Sequence, residues 1–335
     1  MTDSVLKYSV IVPVYNRLEE VKELLESAEN LDFNRSEFEF LFVDDGSGDG
    51  FNEFISEYLS RTNLQIRAIF QQNQGPAKAR NNGMANTVAN YMLFIDSDCM
   101  LPPQWLKEID NGITIYGFDA FGGPDTFHPS FSPLLKAVNY SMTSFIGTGG
   151  IRGNKKSVEK FYPRSFNMGI SCSVYEKIGG MRLRYYGEDT DFSARIEKAG
   201  FKIGLIPEAF VYHKRRTSLN KFFRQIKTIG MARIKLGTLH KNMLKIIHLL
   251  PAFLIAGLIL LIIITPLFPV IAKYLWILTG IGFFGIGLMA FIQSNQMYGN
   301  ITIALLSIVT LNIQVFAYGI GLLHGILKFI IMKKE

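Results

Sequence analysis

Two aspartates one residue apart, Asp96 and Asp98, follow the uncharged run Tyr91–Ile95. In an extended segment they point to the same side. Two carboxylates on one side repel, so they call for a cation between them. A hard divalent ion, Mg2+ or Mn2+, bound by oxygens and bridging to substrate phosphates, suits them; a plain turn after a strand is the competing reading. Asp44-Asp45-Gly46-Ser47 closes another apolar run. A carboxylate there can accept hydrogen bonds from a base N–H or ribose hydroxyls, or form an Asx turn that caps the next helix. The stretch from Asn73 to Gly83 opens a helix with small residues and two bases, Lys78 and Arg80. These bases can bring positive charge to a diphosphate or stay solvated. Glu188, Asp189 and Asp191 lead into a helix that ends at Gly200. The helix dipole favours one or two acids at its start; three in four positions exceed what capping needs. One of them can act as general base toward an acceptor hydroxyl. His213, after an apolar stretch, can complete a metal site begun by carboxylates or pack as an ordinary histidine.

Such residues need a scaffold that gathers them. Ser9–Pro13, Phe38–Val43, Ile66–Phe70 and Tyr91–Ile95 are short apolar runs. Helical periods lie between them, near 19–30, 50–61 and 75–90. Strands alternating with helices predict an α/β fold with a Rossmann-like, mostly parallel sheet. Such sheets bind ligands beyond the carboxyl ends of their strands. Tyr15, Asp44, Asp45, Asp96 and Asp98 all fall at those ends.

The chain has 335 residues with 35 Lys+Arg against 28 Asp+Glu, a formal +7. The excess gathers in His213-Lys214-Arg215-Arg216 and in the basic residues from Lys221 to Lys245. From Leu249 to Leu327 the single Asp, Glu, Lys or Arg is Lys273. Three apolar stretches, about 247–265, 274–292 and 301–327, each match the ~20 residues that cross a bilayer. A purely cytosolic globule is therefore excluded, and the aromatic content excludes disorder. The basic run beside the first apolar stretch marks a cytoplasmic membrane face rather than a nucleic-acid surface. The organisation predicted is a catalytic domain over 1–215, amphipathic basic interfacial helices over 216–245 and a transmembrane region over 246–330. No signal peptide precedes the first strand, which places the catalytic part in the cytoplasm at the inner membrane. Three crossings put the C-terminus outside, whereas Lys328, Lys333 and Lys334 favour the inside; either the tail departs from that rule or one segment is a re-entrant or interfacial piece. Cys99 and Cys172 are too few for a disulfide scaffold or a Cys-based zinc module, and read as free thiols.

In their order along the chain, Val12-Pro13-Val14-Tyr15-Asn16, Val43–Ser47, Gly75–Asn82, Asp96-Ser97-Asp98, Gly187–Asp191 and His213 resemble glycosyltransferase family 2, from Tyr8 to about Gly237. The resemblance implies a GT-A fold and transfer from a nucleotide sugar with inversion. It implies that Pro13, Tyr15, Asp44 and Asp45 contact base and ribose, and that Asp96 and Asp98, as the DXD motif, hold metal and diphosphate. Asp189, beside Glu188, would be the catalytic base. Lys78, Arg80, His213 and Arg216 would stabilise the leaving group. Asn167, Gly169 and Asp191 would lie on the acceptor side. A lipid-linked acceptor such as a polyprenyl-diphosphate saccharide follows from coupling this set to a greasy, basic tail. A polyprenyl-phosphate sugar synthase and a non-catalytic membrane scaffold are the alternatives. Processive synthases of the family carry Gln-x-x-Arg-Trp, which Gln225-Ile-Lys-Thr-Ile229 lacks; this favours one sugar added per encounter. Nothing in the sequence fixes the oligomeric state.

Overall fold

The structure is a computed structural model that describes residues 6–148, 161–184 and 186–333. It divides into two compact units. The first runs to His128 and includes the described residues from 161 to Lys214; the second takes the described residues from Pro129 to 148 and from Arg215 onward.

The first unit opens with β1 (Tyr8–Val14), α1 (Leu18–Ala28), β2 (Phe38–Asp44), α2 (Phe51–Leu59), β3 (Ile66–Phe70), α3 (Pro76–Ala85) and β4 (Tyr91–Ile95). It continues with β5 (Cys99–Met100), α4 (Trp105–Tyr116), β6 (Ala120–Gly122) and β7 (Asp125–Thr126). After the second unit's α5 (Pro133–Thr143) and α6 (Phe145–Thr148) come β8 (Asn167–Ser171), α7 (Cys172–Ile178), α8 (Glu188–Lys198), β9 (Ile203–Leu205) and β10 (Val211–His213). The main sheet has the order β3-β2-β1-β4-β8-β6-β9. Its first four strands are parallel, with Ile11 between Leu41 and Phe94; β8 runs antiparallel to both β4 and β6.

Residues alternate across these strands, so the sheet is apolar on both faces. Val10, Val12, Phe40 and Phe42 pack against Leu24 and Leu25 of α1 and Trp105 of α4. Ile11, Leu41 and Val43 pack against Ala79 and Met84 of α3 and Phe192 of α8. Gly83 lets α3 lie flat on the sheet, because a Cβ there would run into Ile11 and Val43. This helix ends at Ala85 and not near 90, since Asn86 turns back to cap Asn82 through its side chain. A smaller sheet, β5-β10-β7, sits in the same unit. Cys99 and Cys172 are free thiols, the first buried.

The second unit is helical. Beside α5 and α6 it holds α9 (Leu219–Leu239), α10 (Ile246–Ile264), α11 (Pro269–Tyr298) and α12 (Ile301–Gly325), which continues as a π-helical stretch, Ile326–Ile331. Ser132 and Ser218 cap α5 and α9, each accepting from a backbone N–H in the first turn. Val138, Met142, Phe222, Ile226 and Ala317 form its core. Among the described residues three helices are long and apolar enough to cross a membrane: α10, α11 and α12 with its extension. The polar segment from Gln293 to Tyr298, which lies between the second and third apolar stretches, is the last part of α11. Its polar side chains find partners: Tyr140 donates to Gln293 at 3.0 Å, and Asn139 donates to Tyr298 at 3.1 Å.

Candidate active site

The parallel strands deliver their carboxyl ends to one edge. At β1, Pro13 is half-buried, Tyr15 is 51% exposed, and Asn16 accepts from the Gly48 N–H at 2.8 Å, tying two loops together. At β2, Asp44 is buried and takes the Ser47 N–H, three residues on, at 3.1 and 3.2 Å on its two oxygens, which closes the loop after the strand without capping α2. Asp45 is buried and anchors the loop before α3. It accepts from the Gln74 and Gly75 N–H groups at 2.8 Å and from the Gln71 amide at 2.7 Å.

On α3, Lys78 is exposed and Arg80 is buried. Arg80 Nη2 donates to Asp96 Oδ1 at 2.5 Å, and its Nη1 lies 3.8 Å from Glu188 Oε1. Among the described residues Arg80 Nε and Nη1 make no hydrogen bond. One guanidinium thus joins the DXD segment to the start of α8, with N–H capacity to spare. Asn81 secures the approach: its amide exchanges two 2.8 Å hydrogen bonds with the backbone of Met181, just ahead of α8. Burial, then the neighbouring Asp189 carboxylate, push the Glu188 carboxyl up to about 6, with Arg80 pulling the other way. Asp189 Oδ1 accepts from the Thr190 N–H at 2.7 Å and lies 3.6 Å from Arg164, which also bonds to the Thr190 hydroxyl. Asp191 turns inward to Arg195 at 3.2 Å, and Arg195 holds the Gly180 carbonyl at 2.7 Å; this pair supports the loop.

The small sheet builds the other half. Antiparallel pairing sets His213 opposite Cys99, next to Asp98, and parallel pairing brings Asp125 alongside β10. His213 Nε2 lies 3.2 Å from Asp98 and Nδ1 lies 3.3 Å from Asp125, whose carboxylate is fully buried. Burial would lower the imidazole, but the two carboxylates outweigh it and hold it at about 9. Candidate ligand atoms of Asp98, Cys99 and His213 lie within 4.8 Å of one another. Burial, then Asp98 and Asp96, push the Cys99 thiol well above its ordinary range, so it stays protonated. The carboxylate oxygen and imidazole nitrogen fit a hard divalent ion, and Asp125 on the far nitrogen is the partner a metal-bound histidine needs. Asp96, engaged by Arg80, falls outside that cluster.

Of the expected acceptor-side residues, Asn167 and Gly169 lie on β8, whose Asn167 pairs with Ile95, one residue before Asp96, and whose neighbour Phe166 packs against the His213 ring at 5.1 Å. Asn167, in β8, is buried; Trp105 Nε1 donates to it at 3.1 Å, and it donates to the Ala209 carbonyl at 2.7 Å. Gly169 is in the same strand, its Cβ position filled by the Phe121 ring. Arg216 belongs to the helical unit. Asp125 and Arg164 escaped sequence reasoning, because each is a lone charge in a stretch without motif or period.

The sequence model described as "Glycosyl transferase family 2" matches residues 9–179. Glycosyltransferase AglE of Haloferax volcanii is 26% identical over 77% of this chain and 83% of its own length. The poly(ribitol-phosphate) beta-N-acetylglucosaminyltransferase TarS of Staphylococcus aureus is 36% identical over 40% of this chain; the match spans 25% of TarS. Mannosyltransferase PcManGT from Pyrobaculum calidifontis, solved in complex with GDP-Man and Mn2+, shares the fold with a TM-score of 0.53 at 16% identity. The likeness covers 69% of this chain and 64% of that one. A mostly parallel sheet of the GT-A type, ordered motifs at its carboxyl edge and a family match over half the sequence lead to one assignment: this chain is a glycosyltransferase and belongs to glycosyl transferase family 2.

Proposed function

We propose that the chain moves a sugar from a nucleotide-sugar donor to a lipid-linked acceptor, with inversion, at the cytoplasmic face of the inner membrane. The observation that carries this reading is the meeting of two charged clusters on one unit: Arg80 with Asp96 and Glu188, and Asp98 with His213 and Asp125. PcManGT, of the same fold, was solved with GDP-Man and Mn2+; a nucleotide sugar and Mn2+ or Mg2+ are taken for this chain by analogy. Asp98 and His213 would hold the ion, with Asp96 beside them. When bound, the ion would offset charge on the leaving diphosphate.

Arg80 would meet the diphosphate with the N–H groups that Asp96 leaves over. Tyr15, with its ring exposed, would face the base, and Lys78 would add positive charge from the solvent side. Asp189 would take the proton of the acceptor hydroxyl on Oδ2, since Oδ1 already accepts from Thr190. The apolar helices and the basic α9 support an acceptor that resides in the membrane, whereas the name of TarS denotes a polymer acceptor.

The test is a panel of nucleotide sugars with Mn2+, read by thermal stabilisation and by hydrolysis. One donor should stabilise the protein, and Asp189→Asn should bind that donor while transfer to a polyprenyl-linked acceptor is abolished. Full transfer by the variant would refute the base assignment. It would favour a polyprenyl-phosphate acceptor, whose phosphate oxygen needs no proton removed. No stabilisation by any donor would return the chain to a scaffold role.

A further inference from the structure

Three helices have the dimensions of membrane spans, but burial separates them. In the most apolar window of each, 17% of α10 and 11% of α11 are buried within the protein, against 44% of α12 with its extension. Six of the buried residues of α12 make one stripe: Ser307, Thr310, Gln314, Ala317, Gly321 and Gly325. Its first half is polar and meets α5 and α6. The Thr310 hydroxyl donates to the Ala137 carbonyl at 3.0 Å, and Gln314 donates to the Gly147 carbonyl at 2.8 Å. Its second half is glycine and meets α9 backbone to backbone. A Cβ on Gly321 would strike the Lys227 carbonyl, and one on Gly325 would crowd Ile234 and Met231. The contacts run in the same order along both helices: Phe222 and Ile226 with Ala317, Lys227 with Gly321, Ile234 with Gly325, and the Lys235 ammonium over the Phe329 ring at 5.3 Å. α9 therefore runs parallel to α12 for about three turns.

α9 carries Lys221, Arg224, Lys227, Arg233 and Lys235. A cation near the bilayer centre is costly. If α12 crossed the membrane, a helix fastened to it through glycine would bring this charge inside.

Among the described residues, α10 and α11 carry no such companion along their outward parts. α10 meets α12 near its own start, where Gly319 packs on Pro251 and Ile255. α11 meets it from its midpoint onward, where Phe283 stacks on Phe316 and Ser294 bonds to Ser307 at 2.7 Å. Between those contacts the two helices present apolar side chains outward, among them Leu260, Ile263, Val270 and Leu278. Trp276 Nε1 bonds to the Thr265 hydroxyl at 3.1 Å near the turn. The 19 residues of α10 and residues 269–289 of α11 each measure about 30 Å, the thickness of the hydrocarbon core.

We propose that, among the described helices, α10 and the first part of α11 cross the bilayer as a hairpin and α12 does not cross. α12 lies along the membrane face. Its exposed stripe, Leu305, Val309, Ile320, Leu323 and Leu327, sits among acyl chains, and its buried stripe rests on α5 and α9. The cations of α9 complement anionic headgroups. The chain then returns to the side on which α10 begins, where Lys328 and Lys333 favour being. Lys273, in the second turn of α11, reaches the opposite headgroups.

This arrangement is independent of what the site transfers, so its test needs no activity. In the full chain carrying Cys172→Ser, Phe268→Cys and Met332→Cys are introduced singly and labelled with a membrane-impermeant maleimide. Cells are compared intact and opened, and alkaline phosphatase or green fluorescent protein is fused after Glu335. The two cysteines should label from opposite sides. The C-terminal fluorescent fusion should be bright and the phosphatase fusion inactive. Labelling of both cysteines from one side overturns the proposal, as does a fusion after Glu335 that reports the side from which the cysteine at 268 labels. Should the cysteine at 332 be shielded from the reagent, the side reported by the fusion pair, set against the side from which the cysteine at 268 labels, decides.

Discussion

Burial and the adjacent Asp189 carboxylate raise the Glu188 carboxyl from 4.5 to about 6, and that shift has a consequence for stability. The unfolded carboxyl titrates near 4.5, so the stability tied to its protonated form is fully present below 4.5 and is lost as pH rises through about 6. One and a half units correspond to about 2 kcal/mol. Glu188→Gln cannot ionise and should escape that loss. Its melting temperature relative to the wild type should therefore climb by several degrees between pH 4 and pH 7; a flat difference would show that Arg80 already neutralises the charge. Arg164 acts on the neighbouring acid by position. It holds both Asp189 and Thr190, so Arg164→Ala should leave donor affinity unchanged and lower kcat about 100-fold, the scale of a misplaced group. Rescue by Arg164→Lys would mark charge, and not the planar fork, as what is needed. Asp125→Asn keeps an acceptor near His213 Nδ1 and removes the charge. Calorimetric titration should then find Mn2+ binding ten- to a hundredfold weaker, as for other partners of metal-bound histidines.

The elements differ in how openly the sequence declared them. From Ser9 to Ile95, each strand is an apolar run closed by polar residues, and α1 and α2 keep their period while α3 does not, so four parallel strands and their loaded ends were legible. The small sheet was not: β5 and β7 have two residues each and β10 has three, too short for any alternation to register. Asp125 reaches His213 only through that pairing, which is why the acid half of the histidine site stayed hidden. The polar end of α11 was missed for a related reason. Gln293 and Tyr298 look like a break until α5, far away in sequence, supplies their partners. Helix packing also fixes where Arg80 points. Gly83→Val would force its side chain into Ile11 and Val43 and lift α3 from the sheet. The cost should be about 1–3 kcal/mol, seen as a lower melting temperature. A loss of donor binding beyond that of Lys78→Ala would show that Arg80 has moved; unchanged binding would show that α3 tolerates the shift.

At the scale of the whole chain, the proposed arrangement would hold the helical unit to a membrane by two forces that respond to different conditions. The hairpin of α10 and α11 is apolar and independent of salt. The cations of α9 act through the surface potential, each worth about 1 kcal/mol near an anionic leaflet and screened within about 8 Å at physiological ionic strength. Retention and activity should therefore separate. Lys221 and Arg224 are exposed and Lys227 half so, so exchanging all three for glutamine leaves the packed face of α9 untouched. The triple variant should remain in the membrane pellet after an alkaline carbonate wash, because the hairpin is intact. In vesicles of phosphatidylcholine alone it should transfer sugar as the wild type does. In vesicles with a third phosphatidylglycerol the wild type should be faster and the variant should not, and half-molar salt should erase the difference. Release by carbonate would mean that charge, not the hairpin, anchors the chain. Equal rates in both vesicles for the wild type would mean that α9 carries its cations for packing or solubility, and that the headgroups have no part in presenting the acceptor.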